Sequence, residues 1–429
     1  MANAHPVGWI TLGYALFLAK TAWFVEMASP DLLVATAVLL IASEVIKLED
    51  RERQHTAGFF RLGFLFAFGF YSKNILFYFG LFVLAALTIR ELRSRRFKGP
   101  ITALLVSCVL IGPYVAALSQ TLGHLSFGES GRLNYAWFVD GTETGDWPNG
   151  GASFPFFPGS VLLESPRVFN IPRLDGVTYA PWYDAARFDK RSQPVLKIRA
   201  EIRQLSINLK ALKEEILGSY SALLVCLIIL ISGSSKVFFR RLASAWFCAI
   251  PVTMIIGMYL LVHLVDRFTI GFLLVLWGIA FSSASISPTA QPVVRRVIMA
   301  GLAVFAACVF PGLLHYLTSP AEDSVKSDVV IAEALSEYGL RPGDSIGVIG
   351  DGQTAYWAHW ASLSVVAEIS SMDSPSFWSS ASGMKRAAVG AMEESGVKAV
   401  IWRRNSEQPC PRSWKELPQQ SGCITSANQ

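Results

Sequence analysis

Apolar runs long enough to cross a bilayer recur along this chain, and they stop for about a hundred residues between Ser119 and Leu217. A membrane span needs roughly 17–25 mostly apolar residues. Nine candidate runs approach that length, at 8–26, 30–47, 57–71, 75–91, 101–119, 218–234, 243–263, 267–284 and 295–314. The third and fourth are short enough to form a hairpin that does not fully cross. Only 16% of the residues are charged, against about 25% in soluble proteins. The sequence therefore predicts an α-helical polytopic membrane protein of about nine spans, with a long extracytoplasmic loop and a small C-terminal α/β domain. Its parts are an N-terminal membrane block (1–118), the loop (119–217), a second membrane block (218–318) and the C-terminal region (319–429).

Basic residues gather in short segments between the runs. "RELRSRRFK" (Arg90–Lys98), "SKVFFRR" (Ser235–Arg241), the pair Arg295 and Arg296, and the stretch with Lys47, Arg51 and Arg53 all fall on one side under this count. Lysine and arginine favour the cytoplasmic side. The loop, the His263–Arg267 turn and the C-terminal region are then expected outside. Net charge +5 reports this topology, and nucleic acid is not an expected partner.

The loop is rich in aromatic residues, glycine and proline, as in "GDWPNGGASFPFFPG". Disordered segments are poor in aromatics, so a folded loop is expected, and long structured loops commonly carry function. Its last part, Val195–Leu217, places Ile198, Ile202, Leu205, Leu209, Leu212 and Ile216 at alternating spacings of four and three. That is one apolar stripe on a helix. Lys197, Arg199, Arg203, Lys210 and Lys213 take the remaining faces, and a basic amphipathic helix of this kind suits a bilayer surface. A partner helix is the other reading.

After Ser319 strands alternate with helices. "SIGVIG" (Ser345–Gly350), "SVVAEI" (Ser364–Ile369) and "KAVIW" (Lys398–Trp402) read as three strands of a small parallel layer. "GVIGDG" lacks the full dinucleotide spacing and reads as a tight strand-to-helix turn. Beyond Arg404 the tail reads as loosely structured. It holds Cys410 and Cys423, which can pair outside the cytoplasm or remain free thiols.

Ionisable residues at the edges of apolar runs carry the most information, because charge is costly in hydrocarbon. Lys73, in "FYSKNILF", is a compact point charge that suits a lipid phosphate, or a lysine snorkelling from a helix end. Arg267 suits a phosphate, a pairing with a carboxylate or an interfacial anchor. Asp31, after Pro30, reads first as a helix N-terminal cap. Asn134, Tyr135, Trp137, Asp140, Trp182, Tyr183 and Asp184 combine aromatic faces with polar groups. Such sets suit sugar rings, and membrane interfaces use Trp and Tyr as well.

The segments "SPDLLVA" (Ser29–Ala35), "GFYSKNILFYFG" (Gly69–Gly80), "LSFGESGRLNYAWFVDG" (Leu125–Gly141), "ESPRVFNIP" (Glu164–Pro172), "GVTYAPWYD" (Gly176–Asp184) and "DRF" (Asp266–Phe268) together resemble the bacterial GT-C membrane glycosyltransferases. These are the superfamily of protein O-mannosyltransferases and aminoarabinose lipid A transferases. The resemblance implies transfer of a sugar from a polyprenyl-phosphate donor to a glycan, lipid or protein acceptor, at the outer face of the bacterial inner membrane. It implies Lys73 and Arg267 at the lipid phosphate. Asn134, Tyr135, Trp137, Trp182, Tyr183 and Asp184 are the expected sugar or acceptor contacts. Family members carry an acidic residue in a first outer loop, as base or divalent-metal ligand. That loop is expected to be missing here, so no cofactor is expected beyond a metal held by such a loop. Glu26 and Asp31 are the nearest carboxylates. The other reading is an inactive membrane scaffold or accessory protein that binds a glycan or partner.

Overall fold

The computed structural model describes residues 30–48, 55–92, 97–140, 160–173, 176–179, 195–217, 235–283, 292, 296, 323–352, 354–403, 409–418 and 422–426. The chain divides into two compact units. One takes Met1–Thr142 and Gln193–Val309, the other Glu143–Ser192 and Phe310–Gln429. The hundred-residue loop is therefore not a unit of its own. Its middle joins the C-terminal unit and its two ends join the helical one. Glu26, Trp182, Tyr183 and Asp184, with the runs at 8–26 and 218–234 and most of that at 295–314, lie outside the described residues.

The helical unit contains α1 (Asp31–Lys47), α2 (His55–Ser72), α3 (Ile75–Leu92), α4 (Lys98–Leu122), α5 (Ser130–Phe138), α6 (Ile198–Leu217), α7 (Ser235–Ser244), α8 (Trp246–Leu261) and α9 (Asp266–Ser283). Its core gathers Ile41, Phe59, Leu62, Leu76, Leu87, Ile255 and Phe272 from α1, α2, α3, α8 and α9. The expected nine spans are not supported. Among the described residues two helices, α3 and α4, are long and apolar enough to cross a membrane. A third is reached only if Lys236–Ser244 and Trp246–Leu261, bent by 77°, count as one span. The physical reason lies in charge buried between the other helices. α1 has 17 residues and holds the buried Glu44. Arg61 of α2 reaches Glu44 through its Nε at 3.0 Å and its Nη2 at 2.7 Å. These helices pair charges with each other, where a free span offers uninterrupted hydrocarbon. The side assignments built on nine spans lose their basis with the count.

α6 is fixed to α8 by polar groups. Asn208, 2% exposed, donates to the carbonyls of Leu260 (2.8 Å) and Tyr259 (3.4 Å) and accepts from the Leu264 N–H at 3.3 Å. One side chain thus ties α6 to backbone groups at and just beyond the end of α8. Gln204 donates to the same Asn208 oxygen at 3.3 Å.

The second unit is a seven-stranded sheet, where three strands were expected. Its strands are β1 (Ser160–Glu164), β2 (Arg167–Asn170), β3 (Ser345–Ile349), β4 (Ser364–Ile369), β5 (Ala399–Arg403), β6 (Lys415–Glu416) and β7 (Gly422–Ser426), in the order β1-β2-β4-β3-β5-β7-β6. β4, β3 and β5 are parallel, and the other pairings are antiparallel. Helices α10 (Asp323–Glu337), α11 (Tyr356–Trp360), α12 (Ser374–Ser379) and α13 (Ser382–Glu394) belong with it. Every residue of β4 is buried, as a central parallel strand with both faces covered requires. Ile346, Val348 and Trp357 fill one face, while Ile349, Phe377 and Met392 fill the other. The described parts of the tail, 409–418 and 422–426, join the sheet where the composition reads as loose. β7 runs against β5, and a disulfide joins Cys410 to Cys423 with Cα atoms 5.8 Å apart.

One carboxyl is enclosed in this sheet. Glu368 of β4 is fully buried, and its Oε2 lies 2.5 Å from the Tyr179 hydroxyl. The backbone N–H of Gly352 also bonds to it. A Cβ at Gly352 would fall 2.7 Å from Glu368 Oε2 and 2.7 Å from Tyr179 Cε2. The "GVIGDG" turn therefore closes over a carboxyl, and glycine is what lets it do so. Burial pushes the Glu368 carboxyl up to about 8. An unfolded glutamate ionises near 4.3, so the unfolded state binds fewer protons between these values. Stability conferred by Glu368 is then complete at low pH and falls as pH rises toward 8, by up to about 1.4 kcal/mol per pH unit. Glu368→Gln, which keeps an oxygen for Tyr179 and Gly352, is expected to flatten that fall. Thermal unfolding of the full chain between pH 5 and pH 9, followed by tryptophan emission, checks it.

Candidate functional site

Three charged side chains from three parts of the helical unit meet at one end of its bundle. Asp31 opens α1 and is 3% exposed. Lys73, in the two-residue break between α2 and α3, places Nζ 2.9 Å from Asp31 Oδ1. Arg267, in the first turn of α9, places Nε 3.4 Å from Asp31 Oδ2. Asp31 stands in the first turn of α1, and its carboxylate bridges the two cations.

Small residues bring the helices close enough. A Cβ on Gly271 would meet the Ala35 Cα at 2.8 Å, so α1 and α9 touch backbone to backbone there. Gly271 lies one turn after Arg267, and Ala35 one turn after Asp31. On the other side, the Lys73 N–H donates to the Gly69 carbonyl at 3.0 Å. A Cβ on Gly69 would press on Leu76 at 3.2 Å. The break between α2 and α3 is therefore tight, and it holds Lys73 beside the start of α1.

Aromatic rings floor the cluster. Lys73 Nζ stands 3.5 Å from the centroid of Phe268, and the Arg267 guanidinium stands 5.1 Å from the same ring. Phe268 stacks on Tyr259 at 5.6 Å, and His263 stacks on Phe138 of α5 at 3.7 Å and 4°. Burial pulls the Lys73 ammonium below its ordinary value, with the Asp31 hydrogen bond pulling the other way. Burial first, and then the Arg267 charge, pull His263 down as well. The cluster lies where α1 and α9 both begin, and Asp266 stands beside it, its Oδ1 accepting from the Arg267 N–H at 2.7 Å.

Of the expected sugar contacts, Asn134 and Tyr135 have described side chains. Tyr135 donates its hydroxyl to Glu201 Oε1 at 2.7 Å. Burial and that carboxylate push its phenol up to about 12. Asp140 accepts from the Val195 N–H at 3.1 Å and pairs with Lys197 at 3.2 Å. Tyr135 and Asp140 thus clasp α5 to the start of α6. Asn134 is half-buried on α5, and the side chain of Trp137 lies outside the described residues. His263, Phe268 and Gly271 belong to the site and carry little signal in sequence. A small residue one turn from each buried charge is the one pattern that points to them.

A sequence-family model described as a domain of unknown function (DUF8201) matches residues 3–137. No curated protein matches the chain, and no solved structure does. The match includes Asp31 and Lys73 and ends before Arg267.

Among the described residues no group of three His, Cys, Asp or Glu side chains is placed to hold a metal ion. Both oxygens of Asp31 already face cations. The described residues of this cluster therefore offer no divalent-metal site.

Asp31→Asn would take the shared, buried carboxylate away from two half-buried cations. Removing one partner of a buried pair costs about 3–5 kcal/mol, and that loss is expected in denaturant unfolding of the detergent-solubilised chain. Gly271→Val is expected to part α1 from α9, at about 1–3 kcal/mol for overpacking. Accessibility of Arg267 to a guanidine-selective reagent should then rise.

Proposed function

We propose that this chain acts at a bacterial inner membrane as a GT-C-type glycosyltransferase. It would take a sugar from a polyprenyl-phosphate donor and pass it to an acceptor on the outer face. One observation carries the reading: two cations from separate helices converge with a carboxylate at an end of the bundle that also holds two helix N-termini. α3, which begins two residues after Lys73, is apolar enough to cross a membrane, and a lipid donor requires such a setting.

In this mechanism the donor phosphate takes Lys73 and Arg267 as its counter-charges. Asp31 is thereby released from them. The acceptor hydroxyl attacks the anomeric carbon, the bond from that carbon to the phosphate oxygen breaks, and Asp31 receives the hydroxyl proton. Phosphate leaves with its charge neutralised by the two cations. Direct displacement inverts the anomeric centre. Asp31 is the base in this scheme, and its pairing in the free protein holds the cations in place.

A specific observation favours a second reading. Asp31 engages both cations already, so the cluster can be a closed structural lock in a membrane scaffold or accessory protein. Transfer assays on membrane vesicles carrying the chain, supplied with radiolabelled polyprenyl-phosphate hexoses and pentoses, separate the two. The transferase reading expects Lys73→Ala and Arg267→Ala each to lower kcat/KM by roughly 10²–10³. It expects Asp31→Asn to lower kcat by roughly 10²–10⁴ without weakening donor binding. Wild-type vesicles that transfer no label from any such donor, with the protein folded and inserted, would leave the scaffold.

A further inference from the structure

Helix α6 is turned the wrong way for an ordinary amphipathic helix. A surface helix buries its apolar stripe and shows its polar face to solvent. Here the most buried residues are polar, Gln204 and Asn208, with Ala211 and Leu212 partly buried against the core beside them. Ile198, Ile202 and Leu209 of the apolar stripe are 67%, 59% and 48% exposed. Val195 and Leu196, just before the helix, are exposed too. At 100° per residue, Ile198, Leu209 and Ile202 fall within one narrow strip. Lys213, Arg199, Lys210 and Arg203 follow along its outer edge, away from the buried seam, and all four are exposed.

The helix cannot simply roll over to bury the strip. Asn208 holds it to the carbonyls of Tyr259 and Leu260 and to the Leu264 N–H, and Tyr135 of α5 holds Glu201. Rolling would strip several buried polar groups of their partners at once. The exposed strip is thus a fixed property of the fold.

We infer that this face of α6 docks on an anionic lipid surface, with Ile198, Ile202 and Leu209 entering the bilayer boundary. Arg199, Arg203, Lys210 and Lys213 would lie against anionic headgroups. Charge complementarity favours lipid over a protein groove. Residues 195–217 carry five cations and three carboxylates, and Glu201 is spent on Tyr135. An apolar strip with a basic edge is the form that interfacial helices take. The sequence next after the helix includes the apolar run ALLVCLIILI (Ala222–Ile231). The inference stands apart from sugar transfer, and either can fail alone.

The test places the photo-crosslinker benzoylphenylalanine at Ile202 of the full chain. The protein is reconstituted in vesicles of phosphatidylcholine and phosphatidylglycerol in equal amounts. Mass spectrometry then reads the adducts. Phosphatidylglycerol adducts are expected to exceed phosphatidylcholine adducts by at least about five-fold, the worth of one basic residue near an anionic surface. With Arg199, Arg203, Lys210 and Lys213 all changed to Gln, the ratio should fall to about one while lipid adducts persist. Adducts in equal proportion from the unaltered helix overturn the anionic part. Cross-links to protein, or no lipid adduct from a chain whose circular dichroism matches wild type, overturn the whole.

Discussion

Asp31 holds two cations, and the end of the helical unit is organised by that bridge. A lysine and an arginine half-buried next to each other repel. One carboxylate between them offsets that repulsion and fixes where α9 and the α2–α3 break stand against α1. The glycines at 69 and 271 make the geometry possible, and the ring of Phe268 gives both cations an apolar surface with a negative face.

A second buried acid works by a different rule. Glu368 accepts from a phenol and a backbone N–H, with no cation beside it among the described residues. Desolvation therefore decides its protonation, and it is held largely as the neutral acid at pH 7. Asp31 and Glu368 show the two ways this chain tolerates a carboxyl out of water: pair the charge, or keep the proton.

Lys73 and Arg267 were legible in the sequence because a cation beside an apolar run stands out. Their meeting on Asp31 was not, since nothing in a linear pattern brings together residues so far apart along the chain. The parallel strands at 345–349, 364–369 and 399–403 showed as short apolar runs between helical segments. β1 and β2 did not, because they lie within a stretch whose aromatic and proline content hides short strands, and because they pair with a strand far along the chain. The span count failed for a related reason. α1 and α2 are apolar by composition, but each carries a charge that finds its partner on the other helix. The stripe on α6 was visible as a period, while the face it would turn outward was set by Asn208, an unremarkable residue in the sequence.

The pairing of Phe169 with Glu368 has a consequence during synthesis. The two positions are 199 residues apart, and a ribosome adding about 5–20 residues per second needs roughly 10–40 s to make that stretch. Through that interval the β1–β2 hairpin has no β4 to lie against, and Tyr179 has no Glu368. An isolated hairpin is marginal in water, and its free edge invites wrong partners. The second unit is thus completed only after the helices between its two segments have been made, and the hairpin needs protection until then.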